Sequence, residues 1–269
     1  MPVKKDASGR RSVEAEVEVP GTPEEVWGAI ATGPGISSWF VPTQVEEKRG
    51  GAINASFGPN MDSVSKITEW DPPRRFAASS NDMGPGAPSI ATEWMVEARG
   101  GGNCVVRVVH SWFADSDDWD GQWEETRYGW IVFFRLLRIY LADFTGQHGK
   151  LVQLMAARPE PKAAAWAALV RALGIGPLER GLQFRTSGST PALSGRIERV
   201  GESAHPEELI LRLETPAPGF MHLFAMPMGG QTLLPMRMYL FGASATKVAA
   251  EQEPLWSAWV QQLATGGTR

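Results

Sequence analysis

The sequence predicts an α+β protein in which a curved antiparallel sheet closes around one long helix, followed by a shorter version of the same arrangement. Three observations carry this. Residues 100–140 run from a glycine turn through an alternating valine-rich strand and an acidic loop into a helix apolar over more than half its circumference. A helix of that kind has to be enclosed by a sheet rather than packed along one stripe. Ahead of it come a strand, two short helices and a series of short strands; behind it the order strand, helix, strands, helix recurs.

Composition bounds the rest. The chain has 269 residues, 43% of them hydrophobic, and lacks an apolar run long enough to span a bilayer. That predicts a soluble globular protein of one large domain or two ordinary ones. The single cysteine, Cys104, permits neither an intramolecular disulfide nor a cysteine-based metal cluster and suits a reducing, cytoplasmic compartment. The opening MPVKKDASGRRS is charged but has no apolar stretch behind it, so residues 1–11 read as a disordered leader rather than a secretory signal. A net charge of −4 leaves no basic excess to hold phosphates, which argues against nucleic acid as a partner. Most of the 11 tryptophans fall between Trp27 and Trp130, predicting a large aromatic interior in the first half.

The first strand covers residues 12–19, where SVEAEVEV puts Val13, Ala15, Val17 and Val19 on one face and glutamates on the other. Pro20 and Gly21 end it. Thr22 is then an N-cap, Pro23 suits the first helical position, and Glu25 stands three after the threonine as a capping box requires. Val26, Trp27 and Ile30 supply the buried face. Gly33 and Gly35 break this helix, and GISSWF forms a second short one that directs Trp39 and Phe40 into the core before Val41 and Pro42 stop it. Strands are expected at 43–47, 52–57 and 61–70; the prolines of WDPPRRF turn the chain, and an extended stretch starts at Arg74. Residues 83–89 read as a loop, 91–98 as a strand with Thr92, Trp94 and Val96 on one face, and 105–112 as the strand before the long helix. That helix starts near Asp117 or Asp118, whose carboxylates suit its positive end. Trp119, Trp123, Tyr128 or Trp130, Phe133, Phe134, Leu137, Tyr140, Leu141 and Phe144 recur at spacings of three and four, with Arg127, Arg135 and Arg138 on the wet side. Some 25 helical residues would span about 38 Å, enough to cross a sheet.

The segments TPEEVWGAI, ISSWFVP, EWDPPRRF and GGNCVVRVVHSWF…YGWIVFFRLL, in that order, resemble the SRPBCC superfamily (START-like, helix-grip fold). Within it the chain is most similar to the branch named for the activator of the heat shock protein 90 ATPase. The resemblance covers residues 12–145. It implies a helix-grip fold and a cavity between sheet and long helix that holds an apolar ligand; it does not imply one shared chemistry.

The second half repeats the order of elements. Residues 150–157 read as a strand, and the prolines at 159 and 161 lead into KAAAWAALVRALGI, with Trp166, Leu169, Val170 and Leu173 on one helical face. Extended segments follow at 181–185, 195–200, 208–214, 219–225 and 231–241. A helix at 246–263 closes the chain, with Pro254 expected to kink it. The expected division is therefore a leader at 1–11, a START-like domain with a cavity at 12–147, and a second, shorter, degenerate copy at 148–269. The motifs WF.P and GW…L are missing from the second half, and the alternative is an extension packed on the first domain.

Motifs that would name a reaction are missing. His110 shares a strand face with Val106 and Val108, where it is either a general base lining a pocket or a hydrogen-bonded core residue. His148, His205 and His222 have no H-x-x-x-H or cysteine partner, so no metal and no cofactor is expected. Asp115, Asp117, Asp118 and Asp120 are explained by helix capping. GPGAPS and SGSTPALSG lack the spacing of a phosphate loop, and Cys104 sits among valines as a small hydrophobe. The cavity is expected to be lined by Trp39, Phe40, Trp94, His110, Tyr128 and Phe133, with Arg107, His110 and Tyr128 orienting the ligand. The leading reading is an intracellular protein that binds a small hydrophobic or aromatic compound. The alternative is an enzyme resembling the polyketide cyclases and aromatases of the superfamily, against which stands the lack of a convergent acid and base pair. A third reading, from the branch name, is an interaction module for a chaperone partner. The second copy would serve as a lid or as a homodimer surface.

Overall fold

In the computed structural model, which describes residues 4–5, 10–80, 89–113 and 123–265, the alternating opening segment is strand β2 (Arg10–Pro20). Val13, Ala15 and Val19 are buried and Glu16 and Glu18 exposed, as a period of two demands. Lys4–Lys5 forms a short strand β1 beside it, Lys5 opposite Arg11. At those two positions the expected leader is strand, paired with Ser12 and Arg11 of β2. The chain divides into two compact units, Met1–His148 and Gly149–Arg269.

In the first unit helix α1 (Pro23–Ala31) begins with the expected capping box. The Thr22 amide donates to Glu25 Oε2 at 2.8 Å, and the Glu25 amide to Thr22 Oγ1 at 3.3 Å. Helix α2 (Gly33–Ser37) starts two residues earlier than the expected GISSWF segment and so contains both glycines expected to break the chain. A Cβ on Gly35 would stand 1.9 Å from the Gly28 carbonyl oxygen, so Gly35 lets α2 lie against α1 rather than merely interrupting the chain.

Strands β3 (Thr43–Val45), β4 (Ala52–Ser56), β5 (Asp62–Asp71), β6 (Arg75–Ser80), β7 (Ser89–Arg99) and β8 (Asn103–Phe113) complete an antiparallel sheet of order β1-β2-β8-β7-β6-β5-β4-β3. The first and last long strands are neighbours, Val13 facing His110 and Val17 facing Val106. A bulge between Ile67 and Glu69 shifts the parity of β5, so Ser63, Ser65 and Ile67 share the inner face with Trp70. The long helix α3 is described over Trp123–Asp143, about 32 Å of helix. Its expected start at Asp117 or Asp118, with the capping role of the acidic run, lies outside the described residues, as does the loop at 83–88. Val132, Phe134, Leu136, Leu137, Ile139, Tyr140 and Leu141 are buried and Arg138 is exposed. Burial over so wide an arc is what a gripping sheet provides, and α3 packs directly on β2. A continuous run of rings fills the interior, from Trp27 against Trp70 (5.1 Å) through Phe76 stacked on Trp94 (5.9 Å) to Trp130 (5.2 Å from Trp94).

The second unit has strand β9 (Lys150–Arg158), helix α4 (Lys162–Leu173), strands β10 (Gln183–Arg185), β11 (Ser194–Val200), β12 (Glu208–Thr215), β13 (Gly219–Phe224), β14 (Met226–Met228) and β15 (Gln231–Leu240), and helix α5 (Ala245–Ala264). The expected elements are present, with the short β14 added as a hairpin on β15. The order is β10-β11-β12-β13-β15-β14, and β9 pairs with β15 along nine positions, Thr232 facing Arg158 and Leu240 facing Lys150. The first strand again lies beside the last long one. Both units thus combine an antiparallel sheet with a C-terminal helix, the second with one strand fewer. Its core is a single cluster in which Leu169 and Leu173 of α4 and Trp256, Trp259 and Val260 of α5 meet Leu211, Leu223, Met236 and Met238. Helix α5 runs on through Pro254.

Candidate functional site

The inner face of the first sheet changes character along its strands. Near the β7–β8 turn it is apolar: Val19, Cys104, Val106 and Val108 are buried, and the Cys104 thiol donates to the Gly21 carbonyl at 3.3 Å. Burial, then Glu24 and Glu25, raise the pKa of that thiol, which keeps it protonated and unreactive. Toward the other end the inward positions are Thr92, His110, Ser80, Ser65 and Ser63, and here the sheet and Thr126 in the first described turn of α3 border a half-open cavity of about 390 Å³. That lies within the usual range for small-molecule sites, about 300–1,000 Å³.

Its wall has two characters. Phe57, Met61, Ile90 and Trp112 offer apolar and aromatic surface. Ser63, Ser65 and Ser80 from the sheet and Thr126 from α3 add hydroxyls, and Asp62 stands exposed at the rim. Thr92 and His110 face each other across β7 and β8 in register, with Thr92 Oγ1 2.9 Å from His110 Nδ1. Trp112 edges onto the imidazole at 4.5 Å and Trp130 lies 5.8 Å away. This apolar setting pushes the His110 pKa down to about 4, because burial penalises the charged ring. At neutral pH it is a neutral imidazole. With Nδ1 engaged by Thr92, Nε2 is the nitrogen left for a second partner.

Of the seven residues expected at the site, His110 is in the cavity wall. Phe40 stands one layer behind, 5.6 Å from Phe57, with Phe133 4.4 Å from Phe40. Trp94 is buried between Phe76 and Trp130 as core. Trp39 is 1% exposed, and its Nε1 donates to the Ala29 carbonyl at 2.9 Å, tying the end of α2 to α1. Tyr128 is half-buried on α3 and is not among the residues lining the cavity. Arg107 requires a correction. Its odd position on β8 turns it to the opposite face from His110, where it meets Glu14 and Glu16, each at 3.2 Å. It braces the outer surface and does not orient a ligand. The residues missed are the small hydroxyl side chains. A single serine carries no pattern, and only the strand register brings Ser65, Ser80 and Thr92 together.

The second unit holds a separate buried polar cluster. Arg199 of β11 donates through Nε to Glu208 of β12 at 3.3 Å and through Nη1 to Glu202 at 3.0 Å. His222 Nε2 lies 3.9 Å from Glu208, and Arg237 sits over the Phe224 ring at 5.5 Å. Burial first, then Arg237 and Arg199, push His222 down to about 3, so its contact with Glu208 is not an ion pair at neutral pH. No group of acidic, histidine and cysteine side chains among the described residues is arranged to hold a metal. No helix among them is long and apolar enough to cross a membrane.

Fold and cavity together define a helix-grip protein with a small-molecule-sized chamber under its long helix. Residues 10–129 match a protein family described as polyketide cyclase / dehydrase and lipid transport. Among solved structures, the di-domain ARO/CYC BexL is similar at 15% identity over 96% of this chain and 99% of its own, with a TM-score of 0.46. DynU16 from the dynemicin biosynthetic locus gives 16% over 96% and 99%, with a TM-score of 0.44. The Aha1 dimer from Colwellia psychrerythraea gives 19% over 50% and 98%, with a TM-score of 0.42. No curated protein matches the chain.

Proposed function

We propose that the first unit holds a small apolar or aromatic compound in the cavity between its sheet and α3. The observation that carries this is the cavity itself, about 390 Å³ with aromatic walls and an oriented histidine in one of them. The match of residues 10–129 to a family described by polyketide cyclisation and lipid transport supports the same reading. In it Phe57, Met61, Ile90 and Trp112 provide the apolar surface, while His110, set by Thr92, orients the ligand. Native mass spectrometry of the purified chain, compared with its denatured mass and followed by organic extraction, tests it together with a tryptophan-fluorescence titration. A retained aromatic or lipid compound, or saturable quenching that Trp112→Ala weakens, is the expected result. An empty protein that shows no saturable quenching with any apolar probe would overturn it.

A second reading, cyclase-like catalysis in the same cavity, is favoured by the family description and by the presence of both His110 and Asp62 in the wall. A neutral imidazole can take a proton from an activated carbon or oxygen at pH 7. Under this reading His110→Gln abolishes turnover while leaving binding largely intact; under the first, the same change weakens binding, and there is no turnover to lose.

A further inference from the structure

Helix α5 of the second unit is two half-helices joined at one residue. Pro254 has no N–H, so the Ala250 carbonyl loses the donor that an unbroken helix would give it. The turns on either side of the proline carry Gln252 and Trp256, four residues apart and so on one face. Neither the Gln252 amide oxygen nor the Trp256 indole N–H, both buried, has a hydrogen-bond partner among the described residues. Trp256 is 0% exposed, and a dry N–H of that kind weakens the packed helix at this turn. Before the proline, α5 lays Ala245, Val248 and Ala249 on the core. After it come Trp256, Trp259, Val260 and Leu263, with the two indoles edge to face at 5.2 Å.

The far end of α5 is held from outside the helix. Its last turn has no basic residue of its own to meet the terminal carbonyls. Arg158, at the end of β9, supplies that cation. Its Nη1 donates to the Leu263 carbonyl, while Nε and Nη2 donate to the two carboxylate oxygens of Glu160 at 3.0 and 2.6 Å. Thr232 of β15 fixes Glu160 in turn, its hydroxyl donating to the Glu160 carbonyl at 2.8 Å. We propose that residues 255–264 open as a unit about Pro254, with Arg158 as the latch that sets how often they do so. A weakened turn at one end and a clasp at the other confine the opening to this half-helix, while β9 and β15 stay joined along their nine-position ladder. Opening uncovers Trp256, Trp259, Val260 and Leu263 together and lets water reach Gln252. Arg158 is thus a positioning residue for the C-terminal half of α5.

The test is hydrogen–deuterium exchange of the full chain at pH 7, read by mass spectrometry on peptides from 245–253, from 255–264 and from β9 and β15. In Arg158→Met, amides of 255–264 should exchange on the order of tenfold faster than in the wild type. Residues 245–253 and the two strands should keep their protection. Pro254→Ala restores the missing helical donor, and in that background Arg158→Met should speed both halves of α5 together. Opening still confined to 255–264 there would refute the hinge at Pro254. Equal protection of 255–264 in the wild type and in Arg158→Met would refute the latch. Faster exchange spread over β9, β15 and all of α5 would refute both and leave Arg158 as a support of the whole core. Should Arg158→Met not fold, Glu160→Gln removes one charge from the clasp at a partly exposed position. It must then raise exchange in 255–264 alone for the proposal to stand.

Discussion

Lowering the pH from 7 to 5 should destabilise the first unit through His110, and the size of the effect follows from its surroundings. In the folded state burial beside Trp112 and Trp130 holds the ring pKa at about 4, against 6.5 for an ordinary histidine. As the pH falls through 6.5 the unfolded chain takes up a proton that the folded chain refuses. Stability contributed by the neutral ring is therefore complete above 6.5, drains between 6.5 and 4, and stops changing below. At about 1.4 kcal/mol per pH unit, the roughly 1.5 units between 6.5 and 5 remove about 2 kcal/mol. Asp62 lines the same cavity and would favour the charged ring, but it is exposed at the rim and burial dominates. Urea unfolding of the wild type and of His110→Gln at pH 7 and pH 5 isolates this contribution, and NMR of the His110 ring reads its titration directly. The stability difference between the two proteins should shift by about 2 kcal/mol against the wild type over that interval. A ring that titrates near 6.5 in the folded protein would show that water reaches it freely, and the account of a neutral imidazole in an apolar wall would fail.

Arg107→Ala removes two exposed ion pairs to Glu14 and Glu16, so it should change stability by less than about 1 kcal/mol and leave probe titrations where they were; a loss of affinity would return Arg107 to the site. Gly35→Ala drives a Cβ to within 1.9 Å of the Gly28 carbonyl oxygen. It should cost about 1–3 kcal/mol or more, seen as a lower melting temperature in a thermal scan, with no remedy from side-chain movement because the obstacle is backbone. Trp39→Phe deletes the donor to the buried Ala29 carbonyl and should cost about 1–3 kcal/mol in urea unfolding. The same change should move probe affinity less than Trp112→Ala does, since Trp39 anchors α2 and Trp112 faces the cavity.

The fold was legible because its elements announce themselves locally. The alternation of β2, the Thr22 and Glu25 pair and the apolar repeat of α3 each need only neighbours in sequence to be interpreted. The second unit was legible for the same reason, from Trp166, Leu169 and Leu173 on one face of α4 to the spacing of its strands. The site was less so. Aromatic residues were expected to line the cavity, but large rings at inward positions mostly pack against each other, as Trp39, Phe76 and Trp94 do. Space is left where inward positions carry small side chains, and Ser63, Ser65, Ala78 and Ser80 mark such a place only after the bulge in β5 is known. The error at Arg107 was avoidable. With His110 assigned inward, the period of two already places residue 107 outward.

The two units show what turns this arrangement into a chamber. In the second, inward strand positions are filled by Leu154, Leu209, Leu211, Leu213, Met221, Leu223, Met236 and Met238, all within one apolar cluster. The inward hydroxyl of Thr232 is committed to the Glu160 carbonyl at 2.8 Å. Its buried Glu208 and Arg199 bind each other, and the neutral His222 ring lies 3.9 Å from Glu208, outside that apolar cluster. In the first unit the sheet keeps the same kind of apolar floor from Val19 to Val108, then substitutes Thr92, His110, Ser80 and Ser65 where the strands run toward the β8–α3 connection. Small polar side chains at those positions forfeit dispersion contacts and burial that leucines would supply. A sequence keeps such a loss when something else fills the space, as the proposed ligand would. Replacing Ser63 and Ser65 together by valine should therefore stabilise the unit against urea while weakening the binding of an aromatic probe. If it weakened both, these serines would be holding the sheet rather than a ligand.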